Sequence, residues 1–202
     1  DSFNTAVGYH AGVQNTTGTE NTLIGSDAGQ SQTDADGNTA VGYASMFSNT
    51  NGERNVAVGR GTLTAMNYTT ATNSYNVAVG YDAGNDITTG VHNVLMGGFS
   101  GDALTDADFN TAIGDATLSA DTKGSSSVAV GYAALNAQNF TTATSALNVA
   151  VGVQAGLSLQ TGTATTLVGG IAGNQITTGT QNTAFGYNSA HTLTTGSYNC
   201  YI

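Results

Sequence analysis

Large aliphatic residues are sparse along this chain, yet they recur at fixed intervals. A five-residue word, Asn-(Thr/Val)-(Ala/Leu)-aliphatic-Gly, opens at Asn4, Asn21, Asn38, Asn55, Asn76, Asn93, Asn110, Ser127, Asn148, Thr165, Asn182 and Asn199. Successive openings are 17 residues apart, except for two steps of 21 that follow Asn55 and Ser127. A fixed period of this size marks a stacked repeat, and 17 residues suit one coil of a β-solenoid better than a helix pair or a propeller blade. The chain is therefore expected to be all-β, a single parallel β-solenoid over 1–202 with 17-residue rungs. Three steps of 17 and one of 21 make a super-period of 72, visible in the column Leu23, Leu95 and Leu167. The rungs thus group into four-rung blocks at about 4–75, 76–147 and a truncated 148–202.

Within each word the alternation of a short strand applies, so the second and fourth residues share one face and the third points the other way. The fourth place is always large and apolar: Val7, Ile24, Val41, Val58, Val79, Met96, Ile113, Val130, Val151, Val168, Phe185 and Ile202. This column is the expected solenoid core. The third place is Ala or Leu in every complete word, so the opposite face is apolar as well. Strands apolar on both faces are normally covered on both. One face can close on the coil's own interior and the other then needs a partner, which predicts an oligomer; a broader monomeric coil is the alternative.

A glycine closes every complete word: Gly8, Gly25, Gly42, Gly59, Gly80, Gly97, Gly114, Gly131, Gly152, Gly169 and Gly186. The column predicts a sharp corner that a Cβ would obstruct. A small residue three places later, as at Ala11, Ala28 and Ser45, predicts a second crowded column, and Thr-Thr-Gly stretches such as 16–18 mark a further turn. The Asn column is expected to form an amide ladder running from rung to rung.

Two stretches, Asn4-Thr5-Ala6-Val7-Gly8-Tyr9-His10-Ala11-Gly12 and Asn76-Val77-Ala78-Val79-Gly80-Tyr81-Asp82-Ala83-Gly84, resemble the N-T-A-x-G-Y-x-A-G repeats of bacteriophage tail-fibre proteins. Such fibres often end in an intramolecular chaperone of the endosialidase type. The word is also similar to the N-S-V-A-I-G repeat in the heads of trimeric autotransporter adhesins. That likeness implies a left-handed parallel β-roll assembled as a homotrimer. The rungs here are longer than the usual autotransporter repeat, and no chaperone, stalk or anchor segment is present. Both ends enter or leave in mid-word, which points to a piece of a longer fibre.

Composition narrows the chemistry. Only 8% of residues are charged, with a formal net charge of −10, and Leu, Ile, Val and Phe together make about a fifth of the chain. Such a balance sits on the disordered side of the usual line, and the strict periodicity overrules it. Three Lys plus Arg residues cannot supply the basic stripe that nucleic acid needs. No run approaches the ~20 apolar residues of a membrane helix. One Cys and no Trp exclude a disulfide scaffold and a cysteine zinc site.

Candidate sites are few. His10, His92 and His191 occupy different places in the rung and form no metal column. Asp34 with Asp36 and Asp106 with Asp108 alternate as calcium ligands can, but each pair is short of the six to eight oxygens required unless chains share a site. No nucleophile elbow and no triad pattern occurs, so no catalytic residue is assigned and no cofactor is expected. The two insertions place Tyr68 and Phe140 before Thr-rich runs; such aromatics more often fold down on the rod or pack against a neighbouring chain, and the alternative is a contact to a host glycan or protein.

The expected role is a structural and adhesive module of a viral tail fibre, located in the virion and partnered chiefly with itself. A bacterial adhesin head is the first alternative. An ice-binding solenoid is the second, because Thr16, Thr33, Thr50, Thr88, Thr105, Thr122, Thr177 and Thr194 share one column.

Overall fold

The computed structural model describes residues 2–202 as a parallel β-solenoid of about twelve turns. One twelve-stranded sheet runs its whole length. Its strands are Thr5–Val7, Thr22–Ile24, Thr39–Val41, Val56–Val58, Val77–Val79, Val94–Met96, Thr111–Ile113, Val128–Val130, Val149–Val151, Thr166–Val168, Thr183–Phe185 and Cys200–Tyr201. Every neighbouring pair is parallel and in register, with Thr5 opposite Thr22, Ala6 opposite Leu23 and Val7 opposite Ile24. The two 21-residue steps keep that register, as Val56 opposite Val77 and Val128 opposite Val149 show. Each insertion forms a small side sheet instead, Gly52–Glu53 with Thr72–Asn73 and Gly124–Ser125 with Thr144–Ser145.

Strands stop after three residues because the corner glycine turns the chain at φ near +120° to +140°, which L side chains rarely adopt. At Gly8 an added Cβ would run into the carbonyl of Gly25 on the next rung, so backbone approach as well as φ demands glycine. Three further places per rung take left-handed φ: the residue before the opening Asn, and the second and fourth after the corner glycine. Many of these are not glycine, and Ile171 holds φ +52° despite its branched Cβ. Such residues cost on the order of 1–3 kcal/mol each and persist only where their surroundings over-determine them. Here the ladder does so, since His92 N donates to Ser74 O at 2.7 Å and Ile171 N to Val153 O at 2.8 Å.

The core corrects the expected direction of the strand. The fourth-place column stacks in one file from Val7 to Phe185 as its period requires, but it faces outward: Ile24 is 39% and Met96 41% exposed. The third place faces in, with Leu23 at 1% and the third-place alanines from Ala40 to Ala184 fully covered. The cause is the narrowness of a 17-residue coil. Its interior is filled largely from the opposite wall, by the fourth and seventh residues after each corner glycine, among them Met46, Leu63, Met66, Ile87, Leu104, Leu118, Leu135 and Leu159.

Size is compensated across that interior between facing positions of neighbouring rungs. Where the third place is Leu23, the facing positions are Gly12 and Gly29, and a Cβ on either would come within 2.7 Å of a Leu23 methyl. Leu95 is faced by Gly84 and Gly101, and Leu167 by Gly156 and Gly173. Where the third place is Ala40, Ala57, Ala112 or Ala129, the same facing positions carry Met46, Leu63, Leu118 and Leu135, all buried. Ala78 with Gly84 and Ala150 with Gly156 are small on both sides, and Leu95 and Leu167 of the following rung enter the space they leave, so interior volume is shared between neighbouring rungs as close packing requires.

The crowded small-residue column is buried as expected, at Ala28, Ser45, Thr62, Ser100 and Thr117 among others. Its polar members are satisfied, with Ser45 Oγ donating to Ala57 O at 3.1 Å and Thr117 Oγ1 to Gly114 O at 3.0 Å. The Asn column is a ladder, mostly through the backbone. Asn4 Oδ1 accepts from Asn21 N at 2.8 Å, Asn21 Oδ1 from Asn38 N at 2.9 Å and Asn38 Oδ1 from Asn55 N at 3.0 Å. Most of the Nδ2 groups bond the turn that leads into the next rung, as from Asn21 to Ala35 O at 2.7 Å and from Asn38 to Gly52 O at 2.8 Å, whereas Asn55 Nδ2 reaches Ser74 Oγ at 2.7 Å.

Candidate functional site: the outer sheet face and its flanks

The outward fourth-place column runs beside the second-place Thr/Val column along the whole sheet, and both are left uncovered by the chain itself. Two flanking columns widen this ribbon. After the corner glycine stand Tyr9, Tyr43, Tyr81, Tyr132 and Tyr187, all exposed; before the opening Asn stand Phe3, Tyr75, Phe109, Leu147 and Tyr198, also exposed. On the second flank Tyr75, His92 and Phe109 form a stack of three rings, with centroids 5.3 and 5.1 Å apart and planes tilted by 20° and 6°. On the first flank the Arg60 guanidinium lies 5.5 Å from the Tyr43 ring and 5.2 Å from that of Tyr81. It donates to Tyr81 Oη at 2.9 Å and sits 3.7 Å from the Asp82 carboxylate. Neither flank follows from the word itself. Both lie one residue outside it, where an aromatic recurs without a fixed period.

Tyr68 and Phe140 are not exposed contacts. They fold down over the coil and are only 5% and 7% exposed, closing the gap that each insertion opens. Tyr68 Oη donates to Gly90 O at 2.7 Å. Burial pushes the Tyr68 phenol up to about 12; Ser74 and Asn76 pull it back, and the Asp108 charge adds a smaller upward push. The insertions reach solvent in the run that follows, at Thr69, Thr70 and Ala71 and at Thr141, Thr142 and Ala143.

The acidic pairs are engaged within the coil. Asp34 Oδ1 accepts from Thr17 Oγ1 at 2.6 Å, and Asp36 Oδ1 from Thr19 N at 2.7 Å. Asp108 Oδ1 accepts from Val91 N at 2.8 Å, and Asp106 pairs with Lys123 at 3.3 Å. Among the described residues no group of three or more His, Cys, Asp or Glu side chains is arranged to hold a metal, and no pocket opens. His10 lies against the Tyr9 ring and 3.4 Å from Asp27, while His191 stands alone at the surface. Burial raises the Asp102 carboxyl above its ordinary range, helped by Asp86 and Asp82 against two backbone donors, and one of its oxygens is enclosed without a partner.

The threonine column is exposed or half-buried, but many of its hydroxyls already serve the ladder. Thr16, Thr88, Thr105 and Thr177 donate to the carbonyl one rung on, at 3.0 to 3.2 Å. What the ladder leaves uncommitted on the surface is the apolar ribbon with its aromatic edges and the exposed threonines of the two insertions. No protein-family model, curated protein or solved structure matches the chain.

Proposed function

We propose that the chain is a rod-forming module of an extracellular fibre, a viral tail fibre in the first instance, that assembles as a homotrimer through the outer face of its sheet and carries contacts toward a host surface. The carrying observation is the uncovered ribbon. A monomer seldom exposes an apolar patch beyond a few hundred Å². Nine flank aromatics, each about half exposed or more, offer on the order of 100 Å² apiece given the ~150–250 Å² of an aromatic side chain. Together they reach the roughly 800 Å² per partner of a standard stable interface before the valine file is added. Copies arranged about an axis parallel to the rods bring the ribbons together and leave the back walls in water.

The mechanism is mechanical. Twelve in-register rungs at about 4.8 Å make a stiff rod of about 55 Å, and a net charge of −10 keeps assembled rods from clumping. The exposed threonines of the two insertions supply points of contact that recur every 72 residues. A bacterial adhesin head uses the same architecture and differs in its anchorage. The ice-binding reading draws less support, since the hydroxyls of the threonine column are largely committed to neighbouring rungs. Sedimentation equilibrium of the purified chain is expected to return three times the 20.2 kDa chain mass; a stable monomer at micromolar concentration removes the fibre reading.

A further inference from the structure

We propose that the two flanks of the ribbon are complementary halves of one contact between parallel copies, with each residue after a corner glycine meeting the residue that precedes the opening Asn of the next rung in the adjoining copy. The inference rests on the homotrimer reading and adds which side chains meet. Copies related by an axis parallel to the rods contact one another through two different surfaces, and such a contact closes into a ring when the rotation allows. The two flanks are the two edges of the uncovered face, so they are the surfaces that meet.

Height along the rod leaves two pairings. The chain climbs one rung in 17 residues, and the post-glycine position lies six residues after the pre-Asn position of its own rung. It therefore sits about a third of a rung above its own pre-Asn level and about two thirds below the next, both within reach of Tyr or Arg side chains at a ~4.8 Å spacing. Chemistry separates them. Same-rung pairing sets Arg60 against Arg54 and Asp115 against Phe109, a like-charge contact and a carboxylate on a ring. Next-rung pairing sets Arg60 against Tyr75, Tyr43 against Arg54 and Gly98 against Phe109, two cations on aromatic rings and a large side chain over a glycine. Within a chain, Arg60 and Tyr75 stand on opposite edges of the strand word, roughly 15–20 Å apart at the extended rise per residue. They cannot touch in one copy.

That separation makes the test clean, because sites so far apart act additively unless they meet across copies. Arg60→Ala and Tyr75→Ala, alone and together, are compared by the concentration at which the trimer half-dissociates, with far-UV circular dichroism monitoring the coil. Each single change is expected to raise that concentration up to about tenfold, and the double to raise it no further than the larger single. Tyr75→Glu is expected to restore tight assembly through an ion pair with Arg60, and to lose that benefit when combined with Arg60→Ala. A trimer whose two single effects multiply in the double variant, or in which Tyr75→Glu acts the same with and without Arg60, overturns the pairing and leaves the homotrimer standing. A monomeric parent chain overturns both.

Discussion

The two inserted rungs, built from residues 49–76 and 121–148, share one backbone course and hold it with different chemistry. In the first, the Asn49 amide clamps Gly52, accepting from its N–H at 2.8 Å and donating to its carbonyl at 2.9 Å. Asn55 continues the amide ladder and bonds Ser74 Oγ at 2.7 Å, while Met66 fills the interior. In the second, the glycine is kept as Gly124 and the other four positions have changed: Asp121 for Asn49, Ser127 for Asn55, Gln138 for Met66 and Ala146 for Ser74. Ser127 has no amide, and Gln138 takes over, donating to Asp121 Oδ2 at 2.6 Å and Ser127 Oγ at 3.2 Å and accepting from Asn148 Nδ2 at 2.8 Å. Asp121 Oδ1 meanwhile accepts from Gly124 N and Phe140 N, both at 3.0 Å. Four exchanges in one buried network remain satisfied only as a set, which is how interior polar groups must change.

Separating the members of that set should therefore cost more than moving all of them. Gln138→Met strips a donor from the buried Asp121 carboxylate and is expected to lower unfolding stability by about 3 kcal/mol in urea titration, since hydrogen bonds to charged groups are the costly ones to lose. Combining it with Asp121→Asn, Ser127→Asn and Ala146→Ser, which copies the first insertion in full, should return most of that loss. The reciprocal Met66→Gln buries an amide beside Asn49 with no carboxylate to receive it, and a loss of about 2 kcal/mol is expected by the same measurement.

A smaller difference separates the two aromatic plugs. Tyr68→Phe copies Phe140 and removes the bond to Gly90, for an expected loss of about 1 kcal/mol at neutral pH. Its clearer signature is alkaline. With the folded phenol near 12 and the unfolded one near 10, the folded chain holds that proton longer. The stabilisation is whole below pH 10 and is lost as pH rises toward 12, so thermal melts across that range should fall more steeply for the parent than for Tyr68→Phe. The mildest expected effect lies at Asp102, whose counterpart one block later is Asn174. A raised folded-state carboxyl gives stability that is present in acid and declines as pH climbs through the raised range. Asp102→Asn should accordingly melt slightly higher than the parent at pH 7 and show no gain at pH 3.

The rung length, the register across both insertions, the corner glycines and the Asn ladder all follow from spacing alone, because each requires only that like residues stack. The inward direction of the strand does not. Val7 and Ala6 are both apolar, and choosing the larger side chain for the interior overlooks how little room a 17-residue coil has once Met46 and Leu63 enter from the far wall. The signal that settles it lies outside the word, in the exchange between Leu23 with Gly12 and Gly29 and Ala40 with Met46. Tyr68 and Phe140 take the folded-down course for a related reason: an insertion opens a gap in the wall, and the first large residue within it closes that gap before any ligand can use it.

The succession of alanine-with-glycine, leucine-with-glycine and two alanine-with-large rungs has one more effect. Because the pattern repeats after four rungs, removing residues 76–147 would bring together coil ends that already fit neighbours of the same kind. Length is then adjustable in steps of about 19 Å, four rungs at the usual strand spacing. A lineage could lengthen or shorten its reach by unequal recombination without designing a single new junction.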